Sequence, residues 1–338
     1  MPLDRRATIA GFLGAIAALG TLAYLVGVGD LLRSLSMART TVAAGVLVVA
    51  VVWMTAWALA LRTVLSALGA GVSRVQATAV YAGVLFANNV TPFGQAGGEP
   101  ISALLISEVA DTEYETALAA IASADSLNFV PSTAIGLVGV TYFSVTVAVG
   151  DRLRWAAAAV AGLAVALPAL GYLGWRYRDR VEAAIVGLLA PVVRVVGRCV
   201  PRLEPPSRGA VEHRVDGFFG AIAVVGTDRR TLLAAVGFST LGWLAQAVAL
   251  WLALYAVGVL APVAAVLVAV PVGAIAGVTP LPGGLGGIEA VLVALLVPLA
   301  GVSAATAAAA VVLHRGAIYW LPTLLGSGVV SALGADRV

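Results

Sequence analysis

Lysine, cysteine and charge are all scarce in this 338-residue sequence. All twenty basic residues are arginine, which we attribute to a GC-rich prokaryotic genome and not to mechanism. The single cysteine, Cys199, excludes an intrachain disulfide. Charged residues make up only 11% of the chain, too few to cover the hydrated surface of a water-soluble domain. The composition therefore excludes a soluble protein.

Apolar residues dominate instead, at 61% of the chain with a mean hydropathy of +1.02. A helix needs about 20 such residues to cross the hydrocarbon of a bilayer. The first long apolar segment is a span and not a signal peptide, because its apolar core is too long and no cleavage site is evident. We predict full spans near residues 7–28, 41–61, 116–146, 154–174, 231–258 and 303–332.

Two further apolar pairs are each interrupted by a glycine-rich stretch: 76–90 with 99–109, and 262–278 with 287–300. Most of these pieces are too short to cross alone, although the longest approaches spanning length. We interpret each pair as a re-entrant hairpin. The expected fold is an all-α integral membrane protein with about six full spans and two re-entrant glycine-rich hairpins.

Arginine placement predicts the orientation in the membrane. The connection 175–230 carries ten arginines against six acidic residues, and residues 180–200 within it have the pattern of an amphipathic interfacial helix or, alternatively, a soluble connector helix. By the positive-inside rule, both termini and this connection are cytoplasmic, and the protein is expected in the cell membrane. Four more arginines lie on the same side of the predicted spans: Arg5, Arg6, Arg62 and Arg74.

The two glycine-rich stretches are versions of one phrase. "VTPFGQAGGEP" begins at Val90 and "VTPLPGGLGGIEA" begins at Val278. Both run through Val-Thr-Pro, a short bridge and Gly-Gly to a glutamate, which is Glu99 in the first phrase and Glu289 in the second. Such a recurrence indicates an internal repeat.

The predicted topology makes this repeat inverted. Three spans separate the two hairpins, so the second hairpin would enter from the opposite face of the membrane. A single membrane domain, 1–338, is then divided into a first half (1–150) and a second half (151–338). This is the arrangement of many transporters, whose sites lie near the bilayer midplane. The prediction requires residues 110–150 to cross once, because two crossings would change the parity.

Each break is expected to end where a half-helix begins, at Gly98-Glu99-Pro100 and at Gly287-Ile288-Glu289, with Pro100 suited to a first helical turn. Helix N-termini carry free N–H groups and partial positive charge, so an anion such as a lipid phosphate fits there. Alternatively, the glutamates only cap the half-helices and the glycines only permit close packing.

Charged residues also interrupt the spans that follow the hairpins. Asp125 follows Glu99 by 26 residues, and Arg315 follows Glu289 by the same interval. An inverted fold would bring this acid and this base together near its pseudo-twofold axis. Charges at such depth are rare unless paired or functional, so Arg315 either serves the substrate or forms a structural pair with Asp125 or a glutamate. The adjacent His314 either joins the site or hydrogen-bonds a neighbouring helix.

The sequence contains no convincing enzyme motif. The sequence "GVGD" at 27–30 resembles a signature of intramembrane aspartyl proteases, but it falls at the mouth of the first span and lacks a suitable partner. HExxH, GxSxG and P-loop motifs are absent. Because His213 is the only other histidine, no two-histidine metal site is expected near His314. We expect no catalytic residues, no metal, no cofactor and no nucleic-acid partner, and any transport would follow a gradient or run downhill.

The two glycine-rich phrases and the His-Arg span resemble the membrane domain of the lysylphosphatidylglycerol synthase/flippase family, over nearly the whole chain. The resemblance implies a flippase-like membrane fold that moves a lipid between leaflets. In that family a separate soluble domain makes the aminoacyl lipid. Because no such domain follows "SALGADRV" here, we do not expect synthase activity.

We therefore predict a transporter that moves a phospholipid or a lipid-linked anionic headgroup between leaflets. The alternative is a membrane-embedded enzyme or an accessory subunit for lipid-linked sugar metabolism, acting beside a separate glycosyltransferase or lipid synthase. The asparagines of the first phrase are included among the site residues, although they, like Gln95, are also suited to satisfying loop backbone. The candidate substrate-binding residues are Asn88, Asn89, Thr91, Gly97, Gly98, Glu99, Asp125, Thr279, Gly286, Gly287, Glu289, His314 and Arg315.

Overall fold

The structure is a computed structural model that describes residues 5–92, 94–146 and 208–335, with isolated positions between 162 and 187. Every regular element in these ranges is helical, as the sequence predicts. The helices are α1 (Arg5–Val26), α2 (Val28–Ser36), α3 (Thr40–Ala67), α4 (Arg74–Val90), α5 (Gln95–Ala110), α6 (Tyr114–Thr146), α7 (Arg208–Thr227), α8 (Arg229–Ala256), α9 (Val263–Ile275), α10 (Gly287–Ala300), α11 (Ala304–Arg315) and α12 (Leu321–Ala335).

Five of the described segments are long and apolar enough to cross a membrane, and a sixth is reached if α1 and α2 count as one broken span. One of the five, Pro282–Ala300, contains an arm of the second predicted hairpin, so this arm is longer than the sequence indicated. The chain is therefore a multi-pass membrane protein. The predicted spans at 41–61, 116–146, 231–258 and 303–332 are confirmed as long apolar helices. The predicted span at 154–174 and the interfacial helix at 180–200 lie outside the continuously described residues.

The first predicted span ends two residues earlier than expected and is followed by a sharp bend. Helix α1 ends at Val26, and α2 leaves it at an angle of 86°. The turn is at Gly27, whose φ of 91° is accessible to glycine and strained for other residues. The span predicted near 7–28 therefore ends at Val26, and the "GVGD" sequence contains a helix break at Gly27.

Helix α6 shows how the chain runs where the sequence left open one or two membrane crossings. Residues Tyr114–Thr146 form one helix of 33 residues, with Pro131 inside it. This length is enough for a single crossing, so the structure does not support two crossings between 110 and 150. The inversion of the second half stays a prediction, because the segment after α6 lies outside the described residues.

Polar caps explain where several helices begin. The Ser73 side chain accepts from the Gln76 N–H at 3.2 Å, while the Gln76 side chain accepts from the Ser73 N–H at 3.0 Å, which is a capping box at the start of α4. Asp228 accepts from the Arg230 N–H at 3.0 Å at the start of α8. Ser303 does the same for Thr306 at the start of α11. Each cap satisfies a backbone donor that the helix leaves free.

The core is built where helices of the two halves meet. Helix α3 packs along α8 through small and fully buried side chains, including Ala58 and Ala249. Small residues let membrane helices approach closely, and dispersion contacts then replace contacts with lipid. The same device brings α12 onto α4, where a Cβ at Gly326 would collide with the Ala82 carbonyl oxygen.

One arm of each hairpin packs on a helix from the other half of the sequence. Helix α4 of the first hairpin packs on α12, and α9 of the second hairpin packs on α6. Gly139 of α6 allows this second contact, because a Cβ there would lie 2.7 Å from a Val268 methyl group of α9. Each hairpin is thereby held by the spanning helix of the opposite half.

Candidate functional site

The first break is a tight turn between α4 and α5. Helix α4 ends at Val90, and α5 begins at Gln95, directly after Gly94 with φ 54° and ψ −120°. The buried Thr91 hydroxyl donates to the Ala87 carbonyl at 2.8 Å. The Ala87 carbonyl also accepts from the Thr91 N–H at 3.1 Å, and the hydroxyl lies 3.2 Å from the Gly94 carbonyl. Thr91 therefore connects the end of α4 to the turn, which is a structural role.

The predicted start of this half-helix is wrong. Helix α5 already contains Gly97, Gly98 and Glu99, and Pro100 lies inside the helix instead of in its first turn. Gly94 is the reason, since its positive φ allows the chain to reverse four residues earlier than expected. Glu99 therefore does not cap the N-terminus of α5.

Glycines in α5 let this half-helix pack tightly against α4. A Cβ on Gly98 would lie 2.7 Å from both Cα and N of Asn88, and a Cβ on Gly97 would collide with the Pro92 carbonyl oxygen. These contacts agree with the alternative in which Gly97 and Gly98 permit close packing.

The second break is longer and is built from two short 3₁₀ turns, Ala276–Val278 and Pro282–Gly284. Its glycines adopt positive φ at positions 283, 284 and 286, which lets the chain fold back before α10. Helix α10 begins at Gly287, as predicted. A Cβ on Gly287 would lie 3.1 Å from the Thr279 methyl group, and the buried Thr279 hydroxyl has no hydrogen-bond partner among the described residues.

The two breaks contact each other, and the residues around this contact, from Asn89, Gly94, Gly277 and Gly283 to Glu289, Arg315 and Tyr319, form what we call the central region. A Cβ on Gly94 would lie 3.1 Å from the Gly277 carbonyl oxygen. A Cβ on Gly283 would lie 3.0 Å from the Asn89 Cα and would collide with the Tyr319 ring. Helix α1 covers the second break from outside, because Gly286 packs directly against Ala18. Two interruptions that are far apart in sequence thus form one region.

Arg315 pairs with Glu289 in this region. The Arg315 Nε donates to Glu289 Oε1 at 2.7 Å, and one terminal guanidinium nitrogen donates to the Gly283 carbonyl at 3.1 Å. The other carboxylate oxygen of Glu289 accepts from the Gly286 N–H at 2.6 Å, so Glu289 also caps α10. Side-chain exposures of 11% for Arg315 and 6% for Glu289 show that the pair is nearly removed from solvent.

This pairing corrects the expectation that Arg315 meets Asp125 at the pseudo-twofold axis. The carboxylate one repeat interval before Arg315 is its partner, within the same half of the chain. Asp125 lies instead beside Gln95 and Glu99 of α5. Gln95 is thus beside a carboxylate, where the sequence suggested that it satisfies loop backbone. The 26-residue interval therefore describes a local contact between a hairpin and the next helix, which each half makes separately.

A second network joins the first half to α12. The Asn89 side-chain amide donates to the Tyr319 carbonyl at 3.2 Å and to the Thr323 hydroxyl at 2.8 Å. In return, the Tyr319 hydroxyl donates to the Asn89 carbonyl at 2.9 Å. Asn89 therefore satisfies backbone of the opposite half, and not of its own loop as the sequence suggested.

Tyr319 also stacks under Arg315, whose guanidinium carbon lies 4.9 Å from the ring centre. A π-helical turn over Gly316–Trp320 separates α11 from α12 and contains this tyrosine. Such turns are frequent at functional sites. The sequence analysis did not select Tyr319 or Gly283, although an aromatic residue four positions after an arginine on a helix is a recognisable signal.

Two of the predicted site residues have buried polar atoms without a hydrogen-bond partner among the described residues. His314 is buried in α11 beside the Gln246 backbone of α8, and neither ring nitrogen makes a hydrogen bond of normal geometry with the described residues. The Asn88 side-chain oxygen is also buried without such a partner.

The chain is similar to a known family of membrane proteins. A family model described as the lysylphosphatidylglycerol synthase transmembrane region matches residues 8–326, which include both breaks and Arg315. A UPF0104 membrane protein of Methanothermobacter thermautotrophicus is 27% identical over 333 residues, covering 96% of this chain and 92% of the relative. A second UPF0104 membrane protein of the same organism is 24% identical over 256 residues, covering 74% and 72%.

Proposed function

We propose that this chain, which belongs to the family of the lysylphosphatidylglycerol synthase transmembrane region, moves a lipid with an anionic headgroup between membrane leaflets. The family supports a role connected with membrane lipid. The transport itself, and the residues that perform it, are argued from the geometry of the two breaks.

The observation that carries the proposal is the position of Arg315. A guanidinium is permanently charged and has five N–H donors. Among the described residues, the Nε donor is bound to Glu289 and one terminal nitrogen to Gly283, so most of the remaining donors are available for a phosphate. A phosphate binds arginine with two parallel hydrogen bonds, and such a contact is strong where water is excluded.

Backbone groups around Arg315 support the same ligand. Helices α5 and α10 both begin at the breaks, so the positive ends of two helix dipoles lie in the central region. Glu289 occupies the start of α10 in the present structure by accepting from Gly286. A phosphate that binds Arg315 would compete with Glu289 for the guanidinium and for the Gly286 N–H. This competition would couple headgroup binding to a rearrangement of the break.

The acyl chains need no protein cavity. Irregular backbone inside a membrane is tolerated where protein or water satisfies it. In the second break, the Leu281 and Pro282 carbonyls accept from the Gly284 and Leu285 N–H groups, and the Gly283 carbonyl accepts from Arg315. A headgroup passing through the central region would leave its chains in the bilayer. The hairpins, each held by a helix of the opposite half, are the elements suited to alternate access.

Lipid scrambling in liposomes tests the proposal. Purified protein is reconstituted with fluorescent phospholipids of anionic, zwitterionic and cationic headgroup, and dye reduction from outside reports the exchanged fraction. We expect exchange of a phosphate-bearing lipid that is lost in Arg315→Gln. The matched control is Arg33→Gln, because Arg33 forms an exposed pair with Asp30 on α2 and lies outside the site.

Unchanged leaflet asymmetry with every lipid, in well-folded protein, would contradict transport and would favour the enzyme or accessory-subunit alternative. Mass spectrometry of lipid that remains bound after gentle purification would identify the headgroup. Loss of that bound lipid in Arg315→Gln would connect it to the central region.

A further inference from the structure

The first half holds two carboxylates close together without a cation. Asp125 of α6 lies near Glu99 and Gln95 of α5, and near Tyr81 of α4. Among the described residues, neither carboxylate forms an ion pair. The equivalent place in the second half contains the Glu289–Arg315 pair.

Two nearby carboxylates in an apolar interior do not both stay ionised, because desolvation and mutual repulsion both oppose the second charge. Such a pair holds a proton that belongs to both groups and not to one of them. Within a membrane domain, unpaired acids of this kind mark proton and ion pathways.

Unsatisfied polar atoms around the pair support an exchangeable ligand. Oδ2 of Asp125 and Oδ1 of Asn88 are buried without a hydrogen-bond partner in the described part of the chain. Ser102 is 0% exposed, its hydroxyl also lacks a partner there, and it lies one turn after Glu99 on the same face of α5. Buried polar groups are rarely left without partners, so this cluster is built to bind something small.

Among the described helices that pack on α6, none supplies a counter-charge near the middle of the helix. Helix α9 has no charged residue, and α3 has only Arg62, which donates to the Val72 carbonyl at 2.8 Å. The charges of α8 lie in its first turn, at 229–230, and those of α7 lie within its first nine residues, at 208–216. On α6 itself the only other acid is Glu115, near the start of the helix.

We propose that Glu99 and Asp125 form a proton-binding site that couples lipid movement to the proton gradient. The coupling rests on the proposed transport function, whereas proton binding does not. The two sites have different tasks: the Arg315 region binds the headgroup, and the Glu99–Asp125 pair changes its protonation while the first hairpin moves. The shared contact between the breaks connects the two events.

Infrared difference spectroscopy tests proton binding without any lipid substrate. Protein in liposomes is titrated from neutral to acid pH, and the band of a protonated buried carboxyl group is followed. We expect this band in the native protein, a changed pH midpoint in each of Glu99→Gln and Asp125→Asn, and loss of the band when both substitutions are combined. Asp111→Asn is the control, because Asp111 is an exposed residue at the end of α5. A band that survives both substitutions would overturn the proton site.

Gradient-driven transport tests the coupling. With a proton gradient imposed across the liposome, the native protein should accumulate labelled lipid in one leaflet. Glu99→Gln and Asp125→Asn should lose accumulation, and the Asp111→Asn control should keep it. Accumulation driven by a sodium gradient alone would overturn the assignment of the proton as ligand. If the infrared band behaves as expected while no lipid moves under any condition, the transport function fails and the proton site stands.

Discussion

The two breaks of this protein share a sequence phrase and a position, but they differ in charge. In the second half, the residue 26 positions after the glutamate is Arg315, and the pair is neutral and hydrogen-bonded at 2.7 Å. In the first half, the corresponding residue is Asp125, which lies near Glu99, and neither acid forms an ion pair among the described residues. The same sequence phrase thus accompanies two different charge arrangements, and the two tasks proposed above, anion binding and proton binding, rest on that difference.

The largest expected effect concerns the inversion on which this comparison depends, and it is all or none. Thr112→Cys lies after the first hairpin, and Leu260→Cys lies before the second, each introduced into a chain with Cys199→Ser. We expect the two cysteines to react with an impermeant thiol reagent from opposite sides of the membrane. Reaction from the same side would mean that the halves are parallel, and their different charges would then lack a common frame.

The next effect sharpens the charge difference. Arg315→Gln leaves the buried Glu289 carboxylate unpaired, at a cost of about 3–5 kcal/mol in stability. Neutralising both residues, as Arg315→Gln with Glu289→Gln, should restore most of the thermal stability without restoring lipid exchange. Thermal unfolding and scrambling measured on the two single variants and the double variant decide this. Restored exchange in the double variant would reduce Arg315 to a structural role.

A smaller effect is expected from the close packing of the first break. Gly98→Ala places a methyl group 2.7 Å from Asn88 backbone atoms, and overpacking of this kind costs about 1–3 kcal/mol. Gly237→Ala in α8 is the matched control, since no atom lies within 4 Å of its new Cβ and alanine favours the helix by up to about 1 kcal/mol. Equal thermal stability of the two variants would show that the α4–α5 contact is looser than described.

The smallest effect concerns the contact between the halves. Tyr319→Phe removes the hydrogen bond from the Tyr319 hydroxyl to the Asn89 carbonyl but keeps the ring beneath Arg315. A bond of this type contributes about 1 kcal/mol, so unfolding should shift modestly while the rate of lipid exchange changes if the contact opens during the cycle. Tyr24→Phe serves as control, because that side chain is 80% exposed. An identical exchange rate in both variants would mean that the contact stays closed.

The helical class and most of the described spans could be predicted from the sequence, because apolar length is a local property. Glu289 and Arg315 could be selected as candidates, and a pair of Arg315 with a glutamate was one of the alternatives. The sequence did not decide between Asp125 and a glutamate as the partner, because a shared interval does not show which residues touch. The start of α5 was missed for a different reason: Gly94 alone determines that turn, and its φ cannot be read from composition.

The bend at Gly27 was likewise hidden, since a single glycine does not interrupt an apolar pattern. Tyr319 was overlooked because an aromatic residue in a span is more often packing than function. The fate of Asn89 required the tertiary structure, as its partners come from the end of the chain.

The π-helical turn between α11 and α12 has a consequence for the phase of the last span. A π turn accommodates an additional residue compared with an α-helix, and one residue corresponds to about 100° of rotation and about 1.5 Å of rise. Removing one residue between Gly316 and Trp320 would therefore rotate the whole of α12 relative to Arg315. The Gly326 surface that fits α4 would then face another direction. The number of residues in this turn determines the rotation of α12 relative to the Glu289–Arg315 pair and to the first hairpin. A single deletion there would therefore change the packing of the whole last helix.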